Sequence, residues 1–556
     1  MRASKRYTYW STLCLCMGAV LSAGAEEDLS NTITVDRIIV PEERAATRLT
    51  MTPALLPANI GDIRLDFAEY GAHSRLTRGI MHNDPLGWGD SLERDPYRGK
   101  VWAGYLPSYN LKAGVSWRAI DNESTLLGLC AAFDGRRSGW KEGDLENYVR
   151  HNRVKAGAEL LHMIGEDAFV SAYAGYTYFD GSFNAHRPER NEVSANIFNL
   201  GAEYNGKWRE SKISAGIRAG IFAYGDGGTE YADWLPDAAR EMHYGLSAAF
   251  SLPVDERNSV EAGVDADFYN YNHDETVGTG GGFTRMLTTL RPAWVYRNGA
   301  LTAELGARVD FNTHARNTIR VSPDVKVSYV PTAFFAVFAR AEGGEHVNTL
   351  GSLAKVSSFS SPCYIYGNSV IPVDVTAGIT VGAYKGFSAE LTAEYARADD
   401  WLMPLVYAGQ NTFTADDVKA WVAGAELAYD YRGVIKVSAG YRAVVSGKNQ
   451  IHYSWRDRSR SVADLNLSVR PLEALEVNAG LEYRSGRKMP YVNAMDEAVM
   501  ANLRDAVNLH ADVSYSFNPR LTVFGEVENI LGRKYYDIFL IGAPRLAGHI
   551  GVAYKF

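Results

Sequence analysis

The chain has 556 residues and a formal net charge of −8, with 65 acidic against 57 basic side chains. An acidic balance argues against nucleic acid as the partner, and no run after Ala25 approaches the ~20 apolar residues of a membrane-spanning helix. Gly (52) and Tyr (33) are abundant while Cys is scarce, a composition that suits membrane strands, whose rings sit at the interfaces and whose small residues face their neighbours.

Residues 1–25 carry Arg2, Lys5 and Arg6, then an apolar run over 10–21, then Ala23-Gly24-Ala25. That order predicts a secretory signal peptide with an A-x-A cleavage site; the run is too short to span a bilayer. Its removal takes Cys14 and Cys16 and leaves Cys130 and Cys363, read as two unrelated thiols. Residues 26–98 show little alternation and hold Pro41, Pro53, Pro57, Pro85 and Pro96. They are expected to form an irregular N-terminal segment. Within it, Thr32-Ile33-Thr34-Val35 is a short β-prone run.

From Gly99 the pattern repeats to the end. Over 212–224, Ile213, Ala215, Ile217, Ala219 and Ile221 alternate with Ser214, Gly216, Arg218 and Gly220. Val260, Val264 and Phe268 alternate with Glu261, Asp265 and Tyr269; Val437 and Tyr441 with Lys436 and Arg442; Val477 and Leu481 with Glu476 and Glu482. Period 2 marks strands with one apolar and one polar face. A soluble sandwich alternates too, but its strands are mostly shorter; these run about 10–14 residues, the length a tilted membrane strand needs. Ile217, Val264, Val437 and Val477 are therefore expected to face lipid, and Arg218, Asp265, Lys436 and Glu476 the lumen. Short turns are expected at 165–167, 205–207, 255–257, 298–299, 331–332, 385–386, 431–433, 471–473 and 518–519. Long polar loops are expected over 134–148, 180–192, 224–239, 341–368, 399–417 and 485–505. Alternating short and long connections are what a barrel with periplasmic turns and extracellular loops produces. The fold expected is all-β, a transmembrane antiparallel β-barrel over 99–556 of about 22 strands, an even count that leaves both termini in the periplasm.

Catalytic signatures are missing: no H-E-x-x-H, no zinc-spaced Cys pair and no G-x-S-x-G occur. Glu261, Asp265 and Asp267 share one face, which reads as the acidic lining of a hydrated lumen. A barrel-embedded hydrolase would need a Ser/His/Asp group at the rim, for which His186 and His346 are the loop histidines available. No catalytic, cofactor-binding or metal residue is expected. The loop rings Trp140, Trp234, Trp401, Tyr364, Tyr366, Tyr407 and Tyr491 are candidates to stack on a sugar or an apolar ligand, with packing of the loops as the simpler reading.

The end of the chain adds a resemblance. His549, Gly551, Tyr554 and Phe556 meet the pattern polar, any, Gly, two residues, aromatic, any, aromatic at the terminus. This resembles the C-terminal signal by which outer-membrane barrels are recognised by the barrel assembly machinery. Upstream, Val527-Glu528-Asn529-Ile530-Leu531-Gly532-Arg533-Lys534-Tyr535-Tyr536-Asp537 resembles a run found near the end of TonB-dependent receptors. The resemblance implies an outer-membrane location and uptake of a small molecule or glycan. It also implies a TonB-like periplasmic partner met through a TonB box, for which Thr32, Ile33, Thr34 and Val35 are the match. The chain departs from that family where gating should lie, because 26–98 is shorter than a full plug and lacks its Pro-Gly-Val motif. A plugless passive pore, or a barrel subunit of an outer-membrane complex, is the alternative function.

Overall fold

The computed structural model describes residues 97–556 apart from 108, 123, 143–144, 166, 185–190, 227–237, 274–281, 314–318, 360–366, 408–409, 449–458, 493–497 and 539–540. The expected signal peptide over 1–25, the box-like Thr32–Val35, nearly all of 26–98, and His186, Trp234, Cys363, Tyr364 and Tyr366 lie outside the described residues.

One antiparallel sheet runs around the molecule from β1 (Gly99–Leu106) to β26 (Ala547–Lys555). It closes on itself where Lys100 pairs with Lys555 and Tyr105 with Ile550. Twenty-two strands form this closed barrel. Two more, β20 (Lys488–Val492) and β21 (Ala498–Asn502), are a hairpin on the rim, and β24 (Tyr536–Ile538) pairs with β25 (Ile541–Gly542) inside the last long connection. Closure leaves no open edge, which satisfies every strand's hydrogen bonds in a solvent without water.

The faces follow the sequence period. Ile217 and Leu246 are 58% and 62% exposed on the outer surface, where exposure means lipid. Val264 shares its strand face with exposed Val260 and Phe268, Val437 with Ile435 and Tyr441, and Val477 pairs with exposed Val513. Trp208, Tyr329, Phe334, Tyr431 and Phe517 gather near the short-turn end as an outward ring of aromatics. An apolar outer wall with an aromatic girdle at one edge is the architecture of an outer-membrane β-barrel.

Two expected loops prove to be strand. Strands β3 (Thr125–Glu142) and β4 (Leu145–Ile164) stay paired up to Glu142 and Leu145. Strands β15 (Phe387–Tyr407) and β16 (Gln410–Tyr431) stay paired up to Tyr407 and Gln410. At 20 to 22 residues, β4, β15 and β16 are roughly twice the length the membrane requires. Beyond the membrane both faces meet water or other loops, so the sequence loses its alternation while the backbone ladder continues. The expected turn at 205–207 lies inside β6 (Asn191–Trp208). The chain reverses beyond it at Arg209, whose φ of 58° is the left-handed geometry of a tight turn.

Candidate functional site: the lumen and its extracellular mouth

The polar strand faces build an ion-paired lumen wall. Arg218 on β7 (Ser211–Asp226) donates to Asp267 at 2.8 and 3.0 Å and approaches Asp265 at 3.5 Å; both carboxylates lie on β9 (Asn258–His273). His243 on β8 (Ala238–Pro253) places Nε2 2.7 Å from Asp267 and stacks its ring on Tyr269 at 4.5 Å. Arg291 on β10 (Phe283–Asn298) pairs with Asp265. The acidic face anticipated from Asp265 and Asp267 thus meets arginines from neighbouring strands, and among the described residues no group of three or more His, Cys, Asp or Glu is arranged to hold a metal ion.

At the opposite end from the short turns, the described part of the connection after β13 (Phe335–His346), residues 347–359, packs inward against the barrel wall. Its first part is the helix α1 (Leu350–Val356). Thr349 and Ser352 form a reciprocal capping box, with Ser352 N donating to Thr349 Oγ1 and Thr349 N to Ser352 Oγ, both at 2.9 Å. The box supplies partners to orphan helix N–H groups, while Leu350 and Leu353, three apart, bury the same side. The root of the segment is fixed by Asp310, fully buried, which accepts from Thr289 (2.6 Å), Arg308 (2.9 Å) and the backbone N–H of Glu345 (2.8 Å). Arg285 donates to the carbonyl of Asn348 at 3.0 Å and to Asn368 at 3.1 Å. Glu241, on β8, accepts from the Leu350 N–H at 3.2 Å.

Ser358 and Phe359 of this segment reach the wall of β4, β5 (Ala168–Phe183) and β6. Phe359 meets Phe179 and Phe183 edge-on, with centroids 5.5 and 5.4 Å away, and Arg153 donates to Ser358 Oγ at 3.2 Å. Around these contacts an apolar core fills the mouth. Val149, Phe222, Tyr224 and Tyr271 come from the wall, Leu350 and Phe359 from the segment, and Met489, Leu503 and Ile541 from two further connections.

The tall hairpin β15–β16 leans into the same assembly. A register shift between Ala398 and Trp401, with Asp400 at φ 53°, bends it. Beyond the bend Trp401, Leu402 and Met403 are all buried although they point to opposite faces. Leu402 packs with Phe413 and Leu353, whereas Trp401 and Met403 pack with Val418 and Ile371. Val406 pairs with Tyr491, which adds the rim hairpin in parallel. Trp140 is buried against Tyr536 at 5.2 Å. The nearby Tyr535 phenol, buried with Asp537 beside it, is pushed above its usual range. Trp140 and Trp401 therefore pack against neighbouring parts of the mouth, and Tyr491 joins it through the pairing of its strand with β15. His346 lies at the end of β13 with its ring 6.2 Å from Trp401. The in-folded segment was not expected from the sequence, although its signals are there: Thr349-x-x-Ser352 and the Leu350/Leu353 pair inside a stretch otherwise read as loop.

The four residues of the terminal pattern lie together along the closing seam. His549 is buried in the lumen face, its Nε2 2.9 Å from Glu526, which also accepts from Lys112 at 3.2 Å. Lys112 belongs to β2 (Asn110–Asp121) and Glu526 to β23 (Leu521–Glu528), so this contact spans both strands of the seam. Arg136 to Glu528 at 2.7 Å adds a second such link. Gly551 lies against the Ala103 carbonyl and Phe524, and Tyr554 faces outward. Phe556 lays its ring over Gly99, in space any larger residue there would occupy, and exchanges two backbone hydrogen bonds with it at 2.9 Å.

No protein-family model and no curated protein matches this chain. Solved structures do. The FrpB iron transporter of Neisseria meningitidis superposes with a TM-score of 0.66 at 12% identity, covering 84% of this chain and 82% of that one. A mutant of the ferric enterobactin receptor PfeA of Pseudomonas aeruginosa gives 0.61 at 11%, covering 83% and 80%. The siderophore receptor PirA of Pseudomonas aeruginosa gives 0.58 at 14%, covering 83% and 81%. At these identities the likeness is one of fold, a closed 22-stranded outer-membrane barrel.

Proposed function

We propose that this protein is an outer-membrane uptake barrel for a small molecule or glycan, energised by a TonB-like partner. In this reading residues 26–98 act as a reduced plug, and Thr32, Ile33, Thr34 and Val35 form the partner-binding box. The observation that carries the proposal is the occupied mouth. A barrel of about 22 strands has a lumen wide enough to conduct unless filled, and here an in-folded segment, a bent hairpin and a rim hairpin cover its extracellular end. An importer that captures a solute outside and releases it inside can use such a cover to hold the solute at the mouth before passage. The fold shared with an iron transporter and with siderophore receptors supports the same reading.

The test has two parts. In planar bilayers the intact protein should show little steady conductance, and deletion of 26–98 should raise it. A Thr34→Cys variant should form a disulfide with a cysteine placed in the periplasmic C-terminal domain of the TonB-like partner. A large conductance, identical with and without 26–98, together with no cross-link, would favour the passive pore or complex subunit.

A further inference from the structure

We propose that the outer wall over β7–β10 holds one phosphorylated lipid of the outer leaflet, with its phosphate on Arg240 and one acyl chain in a groove of the wall. The lipid-facing surface is not uniform there. Ladder pairing sets two neighbouring outward rows, Ile217–Leu246–Ala266 and Ala219–Tyr244–Phe268–Met286. Ala219 and Ala266 are short, and their neighbours Ile217, Leu246, Phe268 and Met286 stand above them. The result is an apolar groove of about 460 Å³. Its setting names the occupant: a groove open to lipid fills with hydrocarbon.

The strand that crosses the groove also places a cation above it. On β8 the outward positions from Met242 to Leu252 are apolar or aromatic. At about 3.3 Å per residue along a tilted strand, that run covers the apolar band of the membrane. The next outward residue toward the mouth is Arg240, which is exposed. Its ladder neighbours are Ala223 and Asn272, neither of them charged, and Asn196 lies beyond Ala223. Among the described residues no carboxylate pairs with Arg240. A guanidinium at headgroup level with amides beside it suits a phosphate, which it can grip with two hydrogen bonds. Between cation and groove stands the Tyr244 hydroxyl. Its partner is the Met242 thioether at 3.6 Å, a weak acceptor, so the hydroxyl is left to meet a lipid ester. Lipid association through one element is marginal, and two together make it lasting; here the cation and the groove lie on one strand face.

The test uses the full-length protein in a neutral detergent, with bound lipid counted by native mass spectrometry. It depends on neither the solute carried nor the behaviour of residues 26–98. The probes are lipid A with both phosphates, the same lipid stripped of phosphate, and inorganic phosphate. One diphosphorylated molecule should bind at roughly tenfold lower concentration than the stripped lipid, the scale of one charge-assisted contact. Arg240→Gln should erase that preference. Ala219→Phe, which fills the groove and keeps the cation, should weaken both lipids alike. Arg432→Gln removes a cation that lies over Tyr431 at the short-turn end and should change nothing. Heat-modifiable migration reports assembly. If Arg240→Gln fails to assemble, Asn272→Asp places an acid beside Arg240 and should erase the preference in its stead. Equal binding of the two lipids by the unmodified protein overturns the site, as does an equal loss with Arg432→Gln. Displacement of the lipid by excess inorganic phosphate would show a simple anion site and overturn the lipid assignment.

Discussion

The two ends of the barrel are built on different principles. At the short-turn end two of the described connections are capped by their own neighbours. Asp255 accepts from the N–H groups of Arg257 and Asn258 at 2.7 and 2.8 Å, and Asn518 does the same for Arg520 and Leu521 at 2.9 Å. These are side-chain turns in which Asp or Asn caps its own backbone. At the mouth the contacts join distant parts of the chain: Arg153 to Ser358 across 205 positions and Leu350 to Glu241 across 109. Those short-turn reversals are capped within their local sequence. The mouth exists because the closed wall brings remote loops into one space.

That contrast can be broken or sharpened by substitution. The largest effect is expected in the wall between the two ends. Val477→Arg puts a guanidinium into lipid at a cost of about 2–4 kcal/mol near the midplane, while Glu476→Arg, one residue away on the lumen face, costs little. Folded, heat-modifiable protein should fall sharply for the first and stay near normal for the second. Equal yields would contradict the register and with it the division into faces.

The next effect lies at the seam, where the first and last strands share six paired residues and the closure also relies on long-range contacts. Phe556→Ser removes the ring that covers Gly99 and the terminal aromatic of the proposed assembly signal. Its level in the outer membrane under native expression should drop several-fold. If the level holds, the terminal aromatic has no role in assembly and the seam closes by its backbone pairing alone.

The smallest effect belongs to the mouth. Thr349→Ala removes the cap of α1, a change typically worth about 1 kcal/mol. It should leave barrel assembly untouched while raising protease sensitivity of the segment around α1 in intact cells. A variant that instead fails to assemble would show that the mouth is part of the folding core, and the distinction between the two ends would collapse.

The sequence by itself determined the wall. A barrel strand stands between lipid and water, and its period-2 side chains record that difference at every position, so faces, closure and approximate strand number were legible from residues such as Ile217 and Arg218. The turns were legible where Asp, Asn or Gly solves the reversal locally, as at 255–257. The mouth was not. Above the membrane no solvent boundary imposes alternation, so 134–148 and 399–417 read as loops although the ladder continues through them. The in-folded segment carries a short capping signal, but nothing local says that Phe359 seats between Phe179 and Phe183 or that Asp310 anchors its root. Those partners are set by the curvature of a closed sheet, which converts strands far apart in sequence into facing walls. The tertiary structure alone therefore decided which loop turns inward and what it meets.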